Sequence, residues 1–315
     1  VSLRPLNPAP CHSRHGRPYF EGWYFKQASA GGAFSVIPGV FYGRSGGDTA
    51  FVQLIFGEPA QSHFIRYPIS GFHYDTKSFE VSIGKNFFSM NRVLLDIGEI
   101  GLTASLSYSG HVRLWRSLWS PTIMGPFSYL PAMQCSHEVL SLTHRVSGSV
   151  AFGSRRIEFQ DADGYMEKDW GGAFPESWFW MQCSRRDAAL MCSAASIPFA
   201  GLSFTGLICA LLYGGRQYRF ATYNGAKLIS LASGGPHVEA EIARGGYRLR
   251  ISAHSGALGT LKAPTPSGMD RDIMESITAR YEVALAHQGK TLFEDCFQNG
   301  GLEMLNPEAL AKRSE

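Results

Sequence analysis

The sequence predicts an all-β protein of two tandem antiparallel β-domains, and three observations lead there. Aromatic residues make up 13 % of 315 residues and glycine numbers 35, while charged residues reach only 17 %; this composition suits short strands and many turns better than helical bundles. Period-two alternation recurs, as in Phe79, Val81 and Ile83 against Glu80 and Ser82, the pattern of half-buried antiparallel strands. The motif E-x-W-aromatic-aromatic-x-Q occurs twice, at Glu21–Gln27 and Glu176–Gln182, about half the chain apart. Each copy leads into a Ser-Ile-Pro-like segment (Ser35–Pro38; Ser196–Pro198), then an apolar run and a glycine turn. A chain that repeats three features in one order reads as two similar domains, 1–155 and 156–315.

Individual elements follow from the same logic. Tyr247, Leu249 and Ile251 alternate with arginines, and Ile277, Ala279, Tyr281, Val283 and Leu285 form the longest alternating run. Gln288-Gly289 then turns the chain towards Thr291–Phe297, a hairpin signal. Helical spacing is confined to Pro307–Lys312 and a stretch around Ser89–Leu95. Ala188–Gly215 carries no charge and is long enough to span a bilayer as a helix. Its Pro198, Gly201 and Gly206 fit two buried strands around a turn better. In Trp115–Cys135, prolines at 121, 126 and 131 exclude a long helix or a central strand. That aromatic stretch is either a cover over a barrel mouth or domain junction, or a plain packed connection.

Several functions are excluded at this level. A net charge of +3, scattered along the chain, argues against a nucleic-acid partner. Cys11, Cys135, Cys183, Cys192, Cys209 and Cys296 form no CxxC, and no histidine stands at zinc-finger spacing; free thiols in a reducing compartment and no metal are expected. No phosphate loop, strand-linked GxGxxG or G-x-S-x-G elbow occurs, so neither a nucleotide cofactor nor a serine triad is expected. The opening residues show no charged-then-apolar signal pattern. The expected location is cytoplasmic, with membrane contact at most peripheral.

Chemistry concentrates in Gly164–Gly172, where Glu167, Lys168 and Asp169 lie among Tyr165 and Trp170. On a strand, Glu167 and Asp169 share one face, and Met166, Lys168 and Trp170 the other. Two carboxylates on an inward face repel, so one holds its proton towards neutrality and becomes a general acid. On an outward face they would merely meet solvent, or pair with Lys168, Lys26 or an arginine. The first repeat copy offers Glu21, Lys26 and the trio Trp23, Tyr24 and Phe25, either ordinary core or a wall that stabilises a developing cation. No histidine gives a sharp signal.

At these residues the sequence resembles the tocopherol cyclase family. The carriers are Arg17-Pro-Tyr-Phe-Glu-Gly-Trp-Tyr-Phe-Lys26, Gly164–Gly171, Pro175–Gln182 and Tyr223-Asn224-Gly225, with Leu261–Pro264 in support. Ser120–Phe127 and Phe220–Lys227 look closer to compact bacterial members. The resemblance implies tandem lipocalin-like barrels and cofactor-free chemistry, in which a prenyl double bond is protonated and a neighbouring phenol oxygen closes a chromanol ring. Glu167 or Asp169 is the expected donor and Glu21 the third candidate. Trp23, Tyr24, Lys26, Tyr165, Lys168, Trp170, Trp178, Trp180 and Asn224 are the expected contacts to a prenylated aromatic substrate. A non-catalytic lipid or prenylquinone carrier, and a hydratase of an isoprenoid double bond, stay open beside the cyclase.

Overall fold

The computed structural model describes residues 7–12, 15–130, 133–199 and 202–311; Pro131, Gly201 and Lys312 lie outside them. The alternation noted above resolves into two large antiparallel sheets. The first contains β1 (Tyr19–Ser29), β2 (Gly32–Tyr42), β3 (Thr49–Phe56), β4 (Gln61–Pro68), β5 (Phe72–Tyr74), β6 (Glu80–Ile83), β7 (Asn86–Ser89), β8 (Arg92–Ile97), β9 (Leu102–Val112), β10 (Cys135–Phe152) and β11 (Arg155–Gly171). The second contains β12 (Trp178–Arg185), β13 (Ala188–Phe199), β14 (Leu202–Tyr213), β15 (Arg216–Ala221), β16 (Lys227–Gly234), β17 (His237–Arg244), β18 (Tyr247–His254), β19 (Leu258–Pro264), β20 (Met269–His287) and β21 (Lys290–Leu305), followed by the one-turn helix α1 (Glu308–Ala311).

Both sheets use one plan. β1 lies between β2 and β11, the last strand of its sheet, and β12 lies between β13 and β21, the last strand of its own. The two E-x-W copies therefore sit on equivalent strands, but they face opposite ways. Trp23 and Phe25 enter the core enclosed by the first sheet, whereas Trp178 and Trp180 point to the layer between the sheets. A one-residue slip is enough to exchange the faces of a strand.

Two expectations need correction. The changeover between sheets falls between Gly171 and Trp178, not near residue 155, because β11 pairs with β1 from Phe20↔Gly171 to Ala28↔Asp163 and closes the first sheet. The glycine turn near residue 153 only joins β10 to β11. The stretch around Ser89–Leu95 is a strand hairpin, pairing Phe88 with Val93. Its apolar residues come from two short strands, which superimpose on a helical spacing when read as one segment.

Three apolar layers result. Phe25, Phe34, Phe56, Phe88 and Phe159 fill the first sheet, and Phe179, Leu190, Ile242, Tyr281 and Phe293 fill the second. Burying each such side chain contributes about 1.5–3 kcal/mol. Tyr24, Val139, Tyr165, Trp178, Trp180, Met191 and Leu261 form the third layer, between the sheets. The uncharged 188–215 stretch is the β13–β14 hairpin, with Cys192 opposite Cys209. Among the described residues no helix is long and apolar enough to cross a membrane.

The segment between β9 and β10 lies over this third layer. Glu138 on β10 accepts from Arg116 at 2.6 Å and from the Ile123 amide at 2.8 Å, fixing the segment from below. Gly125 has φ 59°, and a Cβ there would meet the Tyr223 ring at 2.6 Å. Gly125→Ala is expected to destabilise the protein by about 1–3 kcal/mol, through both left-handed strain and this overlap. An unchanged thermal midpoint would contradict that account.

Candidate functional site

Strand parity builds a pocket between the sheets. From β11, Glu167 and Asp169 project into it; β1 supplies Tyr24, β10 His137, and β12 both Trp178 and Trp180. From the second sheet, β20 contributes Glu275 and β21 Glu303. Apolar residues complete the wall, among them Met124, Phe127 and Met133 of the covering segment. Register explains the convergence: Tyr24 is opposite Glu167, His137 opposite Asp169, Trp180 opposite Glu303, and Glu275 opposite Glu303.

Each buried glutamate carries aromatic donors. Glu167 accepts from the Tyr165 hydroxyl at 2.5 Å and the Trp180 indole N–H at 3.0 Å. Glu275 accepts from Tyr24 at 2.5 Å, and Glu303 from the Trp178 indole N–H. Burial raises the Glu167 carboxyl to about 7; His137 and the two donors oppose this, and Asp169 reinforces it. Burial likewise raises Glu275 to about 8 and Glu303 well above the usual carboxyl range. Burial works against a charge on His137, but Asp169 and Glu167 outweigh it and raise the imidazole to about 9. His137 Nδ1 lies 2.8 Å from Asp169, and Nε2 lies 3.5 Å from Glu167. At neutral pH the imidazole is held as its cation beside a glutamic acid that retains its proton much of the time.

His137, Glu167 and Asp169 also offer three ligand atoms within 4.8 Å of one another, and these could hold a divalent cation. The expectation of no metal rested on spacing along the sequence, which does not register groups brought together by paired strands. Of the two imidazole nitrogens, Nδ1 bonds Asp169 while Nε2 is buried without a hydrogen-bond partner.

Several sequence candidates lie elsewhere. Glu21 is buried on the opposite face of β1, ion-paired with Lys168 and accepting from the His12 amide at 3.1 Å. Lys168 also donates to the carbonyls of Pro8 and Pro10 and lies 4.9 Å from the Trp23 ring and 5.3 Å from that of Trp170. Glu21, Trp23, Lys168 and Trp170 therefore seat residues 8–12 against the first sheet and do not line the pocket. Lys26 is buried with its ammonium on the Asn299 carbonyl, and burial lowers it to about 8. Asn224 secures a turn, its side chain bonding the Ala221 amide and the Arg219 carbonyl. Tyr165 reaches the site only through Glu167. His137, Glu275 and Glu303 were not among the sequence candidates.

Fold and site together define a double-sheet, lipocalin-like protein with an acid-bearing aromatic pocket at its sheet junction. The sequence profile of the tocopherol cyclase-like family matches residues 115–304, and the chain belongs to that family. A chloroplastic protein of Oryza sativa subsp. japonica, named as a probable tocopherol cyclase, is 30 % identical over 127 residues, 38 % of this chain and 27 % of the rice protein. Tocopherol cyclase of Zea mays is 45 % identical over 38 residues, 12 % of this chain and 8 % of the maize protein. The matches thus span about a quarter of those plant proteins or less. Among solved structures, CghA with Sch210972 has a TM-score of 0.59 at 12 % identity, covering 91 % of this chain and 88 % of CghA. An AttH-type protein of Nitrosomonas europaea has a TM-score of 0.53 at 12 % identity, covering 93 % and 94 %. These two share the fold.

Proposed function

We propose that the protein is a cofactor-free cyclase that protonates a prenyl-chain double bond of a prenylated phenol or hydroquinone and closes a chromanol ring. The observation that carries this reading is Glu167, a buried carboxyl raised to about 7 in a pocket walled by Tyr24, Trp178 and Trp180. Membership of the tocopherol cyclase-like family supports it.

The reaction balances without a further reagent. The Glu167 O–H bond breaks and its proton adds to the less substituted alkene carbon, leaving a tertiary cation. Aromatic faces stabilise that cation, and an apolar pocket keeps water from competing. The phenol oxygen then forms the C–O bond, and its proton returns to the Glu167 carboxylate, directly or through His137. The product is an isomer of the substrate.

Incubation with a panel of prenylated hydroquinones tests this, with an isomeric product expected by mass. Product heavier by one water identifies a hydratase, and binding without turnover a carrier. The donor must be protonated, so kcat should hold below about pH 7 and fall as pH rises through it. A rate that climbs steadily with pH would contradict an acid donor. Trp180→Phe removes one donor that favours the Glu167 carboxylate. It should move the falling limb upward in pH and cost about 1 kcal/mol, roughly fivefold in turnover.

A further inference from the structure

Most exposed apolar side chains of this protein are scattered, but one group is not. Trp115, Leu118 and Trp119 are 64 %, 79 % and 72 % exposed, and Tyr129 and Leu130 of the same segment are also exposed. The backbone beneath them is held at several points. Ser117 and Ser120 exchange both amide–carbonyl bonds at 3.1 Å, placing Leu118 and Trp119 at the tip of a tight turn. The Trp115 amide donates to Gln217 at 2.9 Å, its carbonyl accepts from Arg219 at 2.7 Å, and the Tyr129 hydroxyl holds the Leu118 carbonyl at 2.6 Å. The turn is thus braced on β15, and its large side chains are held outwards.

The covering segment itself carries only basic charge. No Asp or Glu occurs from Ile100 to His137, nor from Ala188 to Val238, the stretch that supplies β15. Arg113 and Arg216 are exposed there. Exposed tryptophan and leucine on a segment whose only charges are basic match the boundary of an anionic bilayer, where indoles favour the headgroup level and basic side chains meet the negative surface. The same segment reaches the pocket a few residues on, through Met124 and Phe127.

We infer that the 113–130 segment docks the protein on an anionic lipid bilayer, with the Leu118-Trp119 tip entering the interface beside the pocket. Its use for collecting substrate rests on the lipophilic substrate proposed above; the docking itself does not. Flotation with vesicles, in the absence of any substrate, separates the two. With phosphatidylcholine vesicles containing about one-third phosphatidylglycerol, the full chain should float, and brominated acyl chains should quench its tryptophan emission. Substituting Trp115→Ser, Leu118→Ser and Trp119→Ser together should weaken partitioning by about tenfold or more. Arg113→Gln should weaken it about fivefold, an effect lost in high salt. If the triple variant does not fold, Trp119→Ser alone with the bromolipid measurement decides. The inference is overturned if the wild-type chain does not float, if the variant floats equally, or if the substitutions abolish a self-associated species without affecting vesicle binding.

Discussion

Glu167→Gln should lower turnover by roughly 100-fold or more while leaving substrate affinity nearly unchanged. The amide fills the same volume and can still meet the Tyr165 hydroxyl, but it has no acidic proton to give. The loss therefore falls on the transition state and appears in kcat, with binding measured by tryptophan quenching as the control. Asp169→Asn should act differently, because Asp169 works through His137 and through its own charge. Removing it takes away an interaction that raises Glu167 and the 2.8 Å partner of His137. Its turnover should fall with an alkaline limb displaced to lower pH. Glu21→Gln should leave the chemistry intact and destabilise the chain by about 3–5 kcal/mol, since Lys168 would be left buried without its counter-charge. Wild-type turnover in Glu167→Gln would refute the assignment, and Glu275 or Glu303, the two other raised carboxyls lining the pocket, would replace it.

The protein should lose stability as the solution turns alkaline, and Glu275 and Glu303 should be the main cause. They are directly opposed across β20 and β21, both buried, and adjacent carboxylates there cannot both be charged cheaply. Burial raises Glu275 from 4.5 to about 8. The folded state then binds more protons than the unfolded chain between those values, so stability is complete below about pH 4.5 and declines as pH rises through 8. For Glu275 alone the loss is bounded by about 5 kcal/mol. Urea midpoints at pH 5 and pH 9 measure it. Glu275→Gln and Glu303→Gln, which imitate the protonated forms, should flatten the dependence. A wild-type midpoint that does not fall over this range would show that the pair carries no such proton.

Much of this architecture is legible in the sequence, because it follows from alternation. The uncharged 188–215 stretch reads correctly as two buried strands, although Pro198 lies within β13 opposite Ser203 and not in the turn, and parity alone puts Glu167 and Asp169 on a different face from Lys168. The second half of the site is hidden for a physical reason. Along β20, Met274 is 44 % exposed while its neighbour Glu275 is buried, the reverse of what hydropathy implies. Glu303 stands in an apolar run, Leu302 to Leu305, as a lone acid between large side chains; that oddity was the available signal. His137 was visible only as a histidine on a strand, since its partners come from β11. The repeat misled in one respect: matching tryptophans suggested matching roles, but the slip between β1 and β12 sends Trp23 inward and Trp178 to the junction.

The shared strand plan has a consequence for the symmetry of the site. Two sheets with one strand plan are the form expected of a duplicated ancestral unit, and a pair of identical units can present only identical faces to each other. A site on such a symmetry axis would carry every group twice. Here the imidazole and its aspartate come from one half alone, while the opposed glutamates come from the other. The imidazole sits on β10, its aspartate on β11 and the opposed glutamates on β20 and β21, so one chain of two like halves holds a site that two identical units could not build.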